Sequence, residues 1–206
     1  MDCKLTGYEF RTLQVTLNPG EKFYAEKGTL IYLESGIDKS LQTTSSSLTS
    51  IFKSKLSGES IFIIEYENKS SQPKKLSFAS KAGILPIKLE GERFLCRRGT
   101  FIATTNKVEL GLGFSIKGAM GGVSFLQKIE GTATVFIDSI GAPITLKLAP
   151  SETVEVDEKH LLALQGISEN QISANWSLSN VLHGEGISLL QITGPGIVHI
   201  SPTALM

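Results

Sequence analysis

Three stretches of this chain carry one short pattern, and that repetition constrains the fold more than any other feature. "GEKFYAEKGT" (20–29) lies on "GERFLCRRGT" (91–100) without a gap. Extended back to Asn18, the same stretch lies on "APSETVEVDEKH" (149–160), again without a gap. Gly20, Gly91 and Ser151 are each followed by a glutamate: Glu21, Glu92 and Glu152. Apolar residues then recur at alternate positions, first Phe23, Phe94 and Val154, next Ala25, Cys96 and Val156. A period of two is that of a half-buried strand. Pro19-Gly20 suits a type II turn, with proline presetting φ and glycine taking the positive value after it, whereas Pro150-Ser151 suits a type I turn. Gly28 and Gly99 mark a second tight turn with positive φ. By alignment, Lys159 is then expected in an uncommon left-handed conformation.

A second phrase follows each first one. "GESIFIIEYEN" (58–68), "GGVSFLQKIEG" (121–131) and "GEGISLLQITG" (184–194) all open on glycine and run into an apolar strand. Two ordered phrases, written three times, predict three repeated supersecondary units, near 8–82, 83–140 and 141–201. "TATVFID" and "ITLKL" are further short runs rich in β-branched residues, and long helical periodicity is missing. The expectation is an all-β chain with few short helices. Its strands are expected to pack as sandwiched sheets in a single domain, 1–206, with an internal pseudo-threefold repeat. "GEGISLLQITGPGIVHI" (184–200) reads as a terminal hairpin turned by Gly194-Pro195-Gly196.

The excursions between the phrases are different in kind. "SGIDKSLQTTSSSLTSIFKSKLS" (35–57) turns amphipathic at its end, with Leu48, Ile51, Phe52 and Leu56 at helical spacing. "VELGLGFSIKGAMGG" (108–122) is glycine-rich, and "SENQISANWSLSNVLHGEG" (168–186) holds the single tryptophan. All three precede the second phrase, so a pseudo-threefold axis places them at one end of the molecule. Ile51, Phe52, Phe114, Met120, Trp176 and Leu182 are thereby a candidate interaction face, set against the plainer reading that they cap the core.

Composition excludes several functions. Lysine plus arginine and aspartate plus glutamate number 20 each, so no basic field draws nucleic acid or anionic lipid. The basic pairs Lys74-Lys75 and Arg97-Arg98 read as solvated turns. Cys3 and Cys96 form no CxxC, and two free thiols fit a reducing compartment. The start "MDCKLTGYEF" lacks the regions of a signal peptide, and no apolar run approaches the about 20 residues of a membrane span. The expected location is cytoplasmic, with attachment at the membrane periphery through protein partners.

Catalytic signatures are equally sparse. His160, His183 and His199 have neither cupin nor H-E-x-x-H spacing, and there is no nucleophile elbow or phosphate loop. No catalytic, metal or cofactor-binding residue is assigned, and no cofactor is expected. What remains is a carboxylate set: Glu21, Glu92 and Glu152 in the first turns, Glu59 and Glu185 in the second. Beside glycine turns, carboxylates commonly accept backbone N–H bonds. The alternative is a ring able to hold a cation or a basic partner. Val123 stands where the second repeat would supply its member of the Glu59 set.

"PGEKFYAEKGTLIYLES", "SGESIFIIEY", "RRGTFIA", "VEVDEKHLLAL" and "GEGISLLQITGPGIVHI" stand in the order of the altered-inheritance-of-mitochondria protein 24 family, which the chain resembles over nearly its whole length. The resemblance implies a fold like that of the tryptophan RNA-binding attenuator protein, built on double-stranded β-helix or sandwich units. Most prokaryotic members have no assigned activity; fungal mitochondrial members associate with the inner membrane and support the cristae-shaping complex. The tail "HISPTALM" lacks the arginine that often follows the last strand, and no transit segment is present, so the organelle role is not carried over. The family supplies no catalytic residues. The expected function is therefore that of a non-catalytic scaffold or interaction protein with protein partners, among them copies of itself. A small-ligand or RNA-binding module comes second, although neutral charge makes nucleic acid a poor partner. An enzyme using the turn carboxylates comes third.

Overall fold

The computed structural model describes residues 1–8, 10–42, 62–117, 123–175 and 189–205, excepting the side chains of 114–117, 123–125 and 174–175. The chain is all-β. After β1 (Asp2–Thr6) come β2 (Thr12–Leu17), β3 (Lys22–Glu26), β4 (Leu30–Leu33), β5 (Ile37–Gln42), β6 (Ile63–Asn68) and β7 (Lys74–Ala79). The next six are β8 (Gly83–Glu90), β9 (Phe94–Arg97), β10 (Phe101–Thr104), β11 (Glu109–Lys117), β12 (Val123–Glu130) and β13 (Thr132–Ser139). The last six are β14 (Ile144–Leu148), β15 (Thr153–Asp157), β16 (Leu161–Gln165), β17 (Ile172–Asn175), β18 (Leu189–Thr193) and β19 (Gly196–Ile200). Two single 3-10 turns, Glu158–His160 and Glu169–Gln171, are the only helical elements among the described residues. None is long and apolar enough to cross a membrane.

The strands fall into two compact units that interleave along the chain. The first holds Met1–Lys88, Phe101–Glu109 and Thr132–Asp138. It contains a four-stranded sheet, β1-β2-β7-β4, and a six-stranded sheet, β5-β6-β3-β10-β13-β8. Alternation in β2 works as period-two patterning requires: Leu13, Val15 and Leu17 are buried while Thr12, Gln14 and Thr16 turn outward. They meet Leu76 and Phe78 of β7 and Phe23 and Tyr66 of the six-stranded sheet in one apolar core. Phe78 stands 5.3 Å from the ring of Phe23 and 5.3 Å from that of Tyr66, the latter edge-on. Buried aromatic pairs of this kind add about 0.5–1.5 kcal/mol beyond their area.

The second unit holds Leu89–Thr100, Leu110–Gly131 and Ser139–Met206. It contains a six-stranded sheet, β11-β12-β9-β16-β19-β14, and a three-stranded sheet, β15-β18-β17. Its core gathers Leu95, Leu126, Leu164 and Val198 with Val156, Leu190 and Ile192. The run "LLAL" of β16 is apolar throughout because all four residues are buried, as befits a strand covered on both faces.

The three first-phrase strands share one pairing scheme. β3 pairs antiparallel with β6, β9 with β12 and β15 with β18. The register sets Phe23 opposite Tyr66, Phe94 opposite Ile129 and Val154 opposite Ile192. After the second turn the register slips between Leu30 and Tyr32, between Phe101 and Ala103, and between Leu161 and Ala163, three aligned positions.

Local expectations meet mixed outcomes. Gly28 and Gly99 have φ of +97° and +76°, as their turns require. Ser151 has φ +66°, so its turn follows the type II pattern of Gly20 (φ +77°) rather than type I. Lys159 is not left-handed: it lies in the 3-10 turn Glu158–His160, where its N–H donates to Asp157 Oδ1 at 2.9 Å. That aspartate caps the 3-10 turn locally, and the third copy departs from the alignment there. The terminal hairpin is also corrected. β18 and β19 lie in different sheets, and Gly194 lets the chain pass between them, because a side chain there would meet Ala149 O at 2.3 Å. Lys74 and Lys75 open β7 instead of sitting in a turn, and Arg97 ends β9 with Nη1 donating to Glu158 O at 2.9 Å.

Candidate functional site

The first-phrase turns place Glu21 and Glu152 in matching local geometry and Glu92 in a related one. Glu21 N–H donates to Asn18 O at 3.1 Å, and the Glu21 side chain returns the contact, Oε2 accepting from Asn18 N–H at 2.8 Å. The third copy repeats both bonds: Glu152 N–H to Ala149 O at 3.1 Å, and Ala149 N–H to Glu152 Oε2 at 2.7 Å. In the second copy Glu92 Oε2 accepts from Glu90 N–H at 2.7 Å. Each carboxylate thus closes its own turn, satisfying a backbone donor at the point where a strand ends.

Charge follows geometry. Burial works to raise the Glu21 pKa, but hydrogen bonds from the Met1 amine (2.5 Å) and from Asn18 prevail and hold it below the ordinary glutamate value. Burial likewise opposes ionisation of Glu92, yet the Gln165 amide and backbone N–H groups hold it low. Glu59 and Glu185 lie outside the described residues. Among the described residues, no three His, Cys, Asp or Glu side chains are grouped to hold a metal ion.

Ile51, Phe52, Met120, Trp176 and Leu182 lie outside the described residues, as does the side chain of Phe114, whose backbone belongs to β11.

Sequence patterning missed a cleft in the first unit. It has a volume of about 620 Å³, and Cys3, Glu21, Lys22, Tyr24, Asn106 and Lys107 are among its lining residues. β1 and β3 supply its walls, and Asn106 is held by donating Nδ2 to Thr132 O at 3.0 Å. Nothing in local periodicity marks these residues, because they come together through the pairing of β3 with β10. Each perturbed group in the cleft is pushed away from neutrality. Burial, reinforced by the Asp2 charge, pushes the Cys3 thiol up to about 11. Lys22 is raised by its hydrogen bond to Glu65 Oε1 at 2.8 Å, and Glu67 Oε2 stands 3.6 Å away. Burial and then Glu65 raise Tyr24. A general acid or base needs a pKa near the working pH, and these shifts run the opposite way.

Comparison with known proteins agrees with this architecture. A crystal structure of protein SPYM3_0169 from Streptococcus pyogenes superposes with a TM-score of 0.69 at 21% identity, covering 98% of this chain and 94% of that one. An uncharacterized protein of Streptococcus pyogenes serotype M6, M6_Spy0233, is 22% identical over 204 residues, 93% of this chain and 81% of its own length. The family model described as mitochondrial biogenesis AIM24 matches residues 3–203, and on that near-complete match the chain belongs to the AIM24 family.

Proposed function

We propose that this protein is a non-catalytic scaffold or interaction protein, built on an internal threefold repeat of the attenuator-protein type and working in the cytoplasm or at the membrane periphery through protein partners. The observation that carries the reading is the state of its ionisable groups. The described turn carboxylates accept backbone N–H bonds, and the perturbed groups of the cleft are fixed in one charge state at neutral pH. The common pairing, register and slip of the three first-phrase strands support the repeat. The excursion residues Ile51, Phe52, Phe114, Met120, Trp176 and Leu182 are the proposed contact face, supported by their common place in the three copies.

A cross-linked pull-down of the tagged protein from its own cells, with soluble and membrane fractions analysed separately, tests this. Specific partners are expected, and Phe52→Glu or Trp176→Glu should remove them while the fold persists. Recovery of the protein without partners in both fractions would sink the scaffold reading.

One observation favours a second reading, small-ligand binding. The cleft has the volume of a ligand site and polar walls. Saturable binding of a small polar metabolite, lost on Lys22→Ala, would support it.

A further inference from the structure

β10 runs into a short segment, Thr105-Asn106-Lys107, that forms part of the cleft wall in the first unit. β13 pins this segment from the side. Thr105 N–H donates to Thr134 O at 3.0 Å, and Thr134 N–H donates to Thr105 Oγ1 at 2.9 Å. Asn106 Nδ2 donates to Thr132 O at 3.0 Å, and Asn106 O accepts from the Thr104 hydroxyl at 3.0 Å. A wall tied down in this way is preorganised, so little ordering is left for a ligand to bring about.

The fold does not require these polar side chains. By alignment, Asn106 and Lys107 match Gly166 and Ile167 of the second unit, and Ile167 is buried in that unit's core. Tyr24, also in the cleft wall, matches Leu95, which lies in the same core. The repeat therefore accepts apolar residues where the first unit carries an ammonium and a phenol.

The bonds already made leave mostly donors facing the cleft. Thr105 Oγ1 accepts from Thr134 N–H, and its own O–H is left to donate. Asn106 spends one of its two amide N–H groups on Thr132 O and keeps the other. Lys22 also lines the cleft, and Glu65 and Glu67 occupy two of the three N–H groups of its ammonium. Charge points the same way. Asp2 stands 3.4 Å from Lys4, Glu21 takes the Met1 amine and Asn18 N–H, and Lys22 and Lys69 face Glu65 and Glu67. Among the described residues, exposed Lys107 is the charged group of the cleft that has no counter-ion. One positive charge is left uncompensated.

We infer that the cleft binds a small molecule through a single carboxylate group, held by Lys107 together with Thr105 and Asn106. The inference rests on the small-ligand reading above and names the ligand's class. One carboxylate matches the one uncompensated cation. A doubly charged phosphate would bring a second negative charge beside Asp2 and Glu21 with no cation to meet it. An amine would find both of those carboxylates already partnered. Tyr24 and the Cys3 thiol offer the less polar part of the wall to the rest of the molecule.

The test is an NMR titration of the full chain labelled with nitrogen-15, at constant ionic strength. The probes are isobutyrate, its uncharged counterpart isobutyramide, isobutylamine and inorganic phosphate. Isobutyrate should shift the backbone amides of residues 105–107 saturably and bind more tightly than the other three. Lys107→Gln, an exposed change with circular dichroism unaltered, should weaken isobutyrate about three- to five-fold, the worth of an exposed charge pair. The control Lys39→Gln, at an exposed lysine of β5, should leave the affinity as it was. Isobutyramide, isobutylamine or phosphate binding at least as tightly as isobutyrate would overturn the carboxylate assignment while the small-ligand reading stands. An unchanged affinity in Lys107→Gln would do the same. Saturation by none of the probes would bring down the small-ligand reading and the inference with it.

Discussion

Replacing His199 with phenylalanine should remove a definite piece of the acid sensitivity of this fold. His199 lies on β19, opposite Thr145 on one side and Ala163 on the other, and is 4% exposed. Its Nδ1 is 3.1 Å from Thr145 Oγ1, and its Nε2 is buried with no partner among the described residues. Burial of a ring that cannot keep its hydration lowers the pKa from 6.5 to about 4. In the unfolded chain the imidazole takes up a proton near pH 6.5. Between pH 6.5 and about 4 the unfolded state therefore binds a proton that the native state does not, and stability falls as pH falls. The difference of about 2.5 pKa units corresponds to about 3 kcal/mol lost across that window, level above and below it.

Phenylalanine fits because Phe136 holds the matching place opposite Ala103 in the other six-stranded sheet. Urea unfolding of both proteins at about pH 7.5 and about pH 4 measures the effect by difference, so that carboxylates common to both cancel. The variant should gain about 3 kcal/mol on the native protein between the two conditions. A difference that is the same at both pH values, or a His199 ring that titrates near 6.5 by NMR, would refute the reasoning.

Four further outcomes follow from single features. Ser151→Gly should stabilise by about 1 kcal/mol, read as a higher Tm, because Ser151 occupies the left-handed region (φ +66°) that Gly20 and Gly91 occupy without strain. Asn68→Ala should cost about 3 kcal/mol in urea unfolding: the side chain is fully buried, donating to Leu17 O and Gln72 O at 2.8 Å and accepting from Ser70 N–H and Oγ. Glu152→Ala should cost about 1 kcal/mol by the same assay through loss of the Ala149 N–H contact, with Glu152→Gln recovering part of it. Cys3 should react with an aromatic disulfide reagent far more slowly at pH 8 than a free thiol does, its pKa being about 11, and buried Cys96 should react only on unfolding.

Most of the β architecture is legible in sequence because it is written in local rules. Alternation in "TLQVTL" reports which side of β2 is buried, and Gly28 and Gly99 stand where turns demand positive φ. The failures come where one particular neighbouring side chain or a distant strand decides. Ser151 adopts a left-handed φ despite its side chain, held between the Glu152 N–H and Glu152 carboxylate contacts to Ala149. Lys159 is redirected by the neighbouring Asp157 carboxylate. Gly194-Pro195-Gly196 has the composition of a hairpin, yet sheet membership is set by which distant strand each flank meets, and no local signal carries that. The turn glutamates were recognisable as a set, and their N–H acceptor role follows from standing beside a reversing backbone. The cleft of Lys22, Tyr24 and Asn106 was invisible, since it exists only once β3 and β10 pair.

A carbon-13 titration of the glutamate carboxyls tests most directly whether the repeated turns hold the fold or do chemistry. Glu21 and Glu92 are expected to titrate below the ordinary glutamate value of 4.5, each moving part of the way back when the turn contact alone is removed by Asn18→Pro or Glu90→Pro, since the Met1 amine and the Gln165 amide remain. A Glu21 or Glu92 carboxyl titrating well above that value, toward neutrality, would contradict the structural role and return these residues to the candidates for acid–base work.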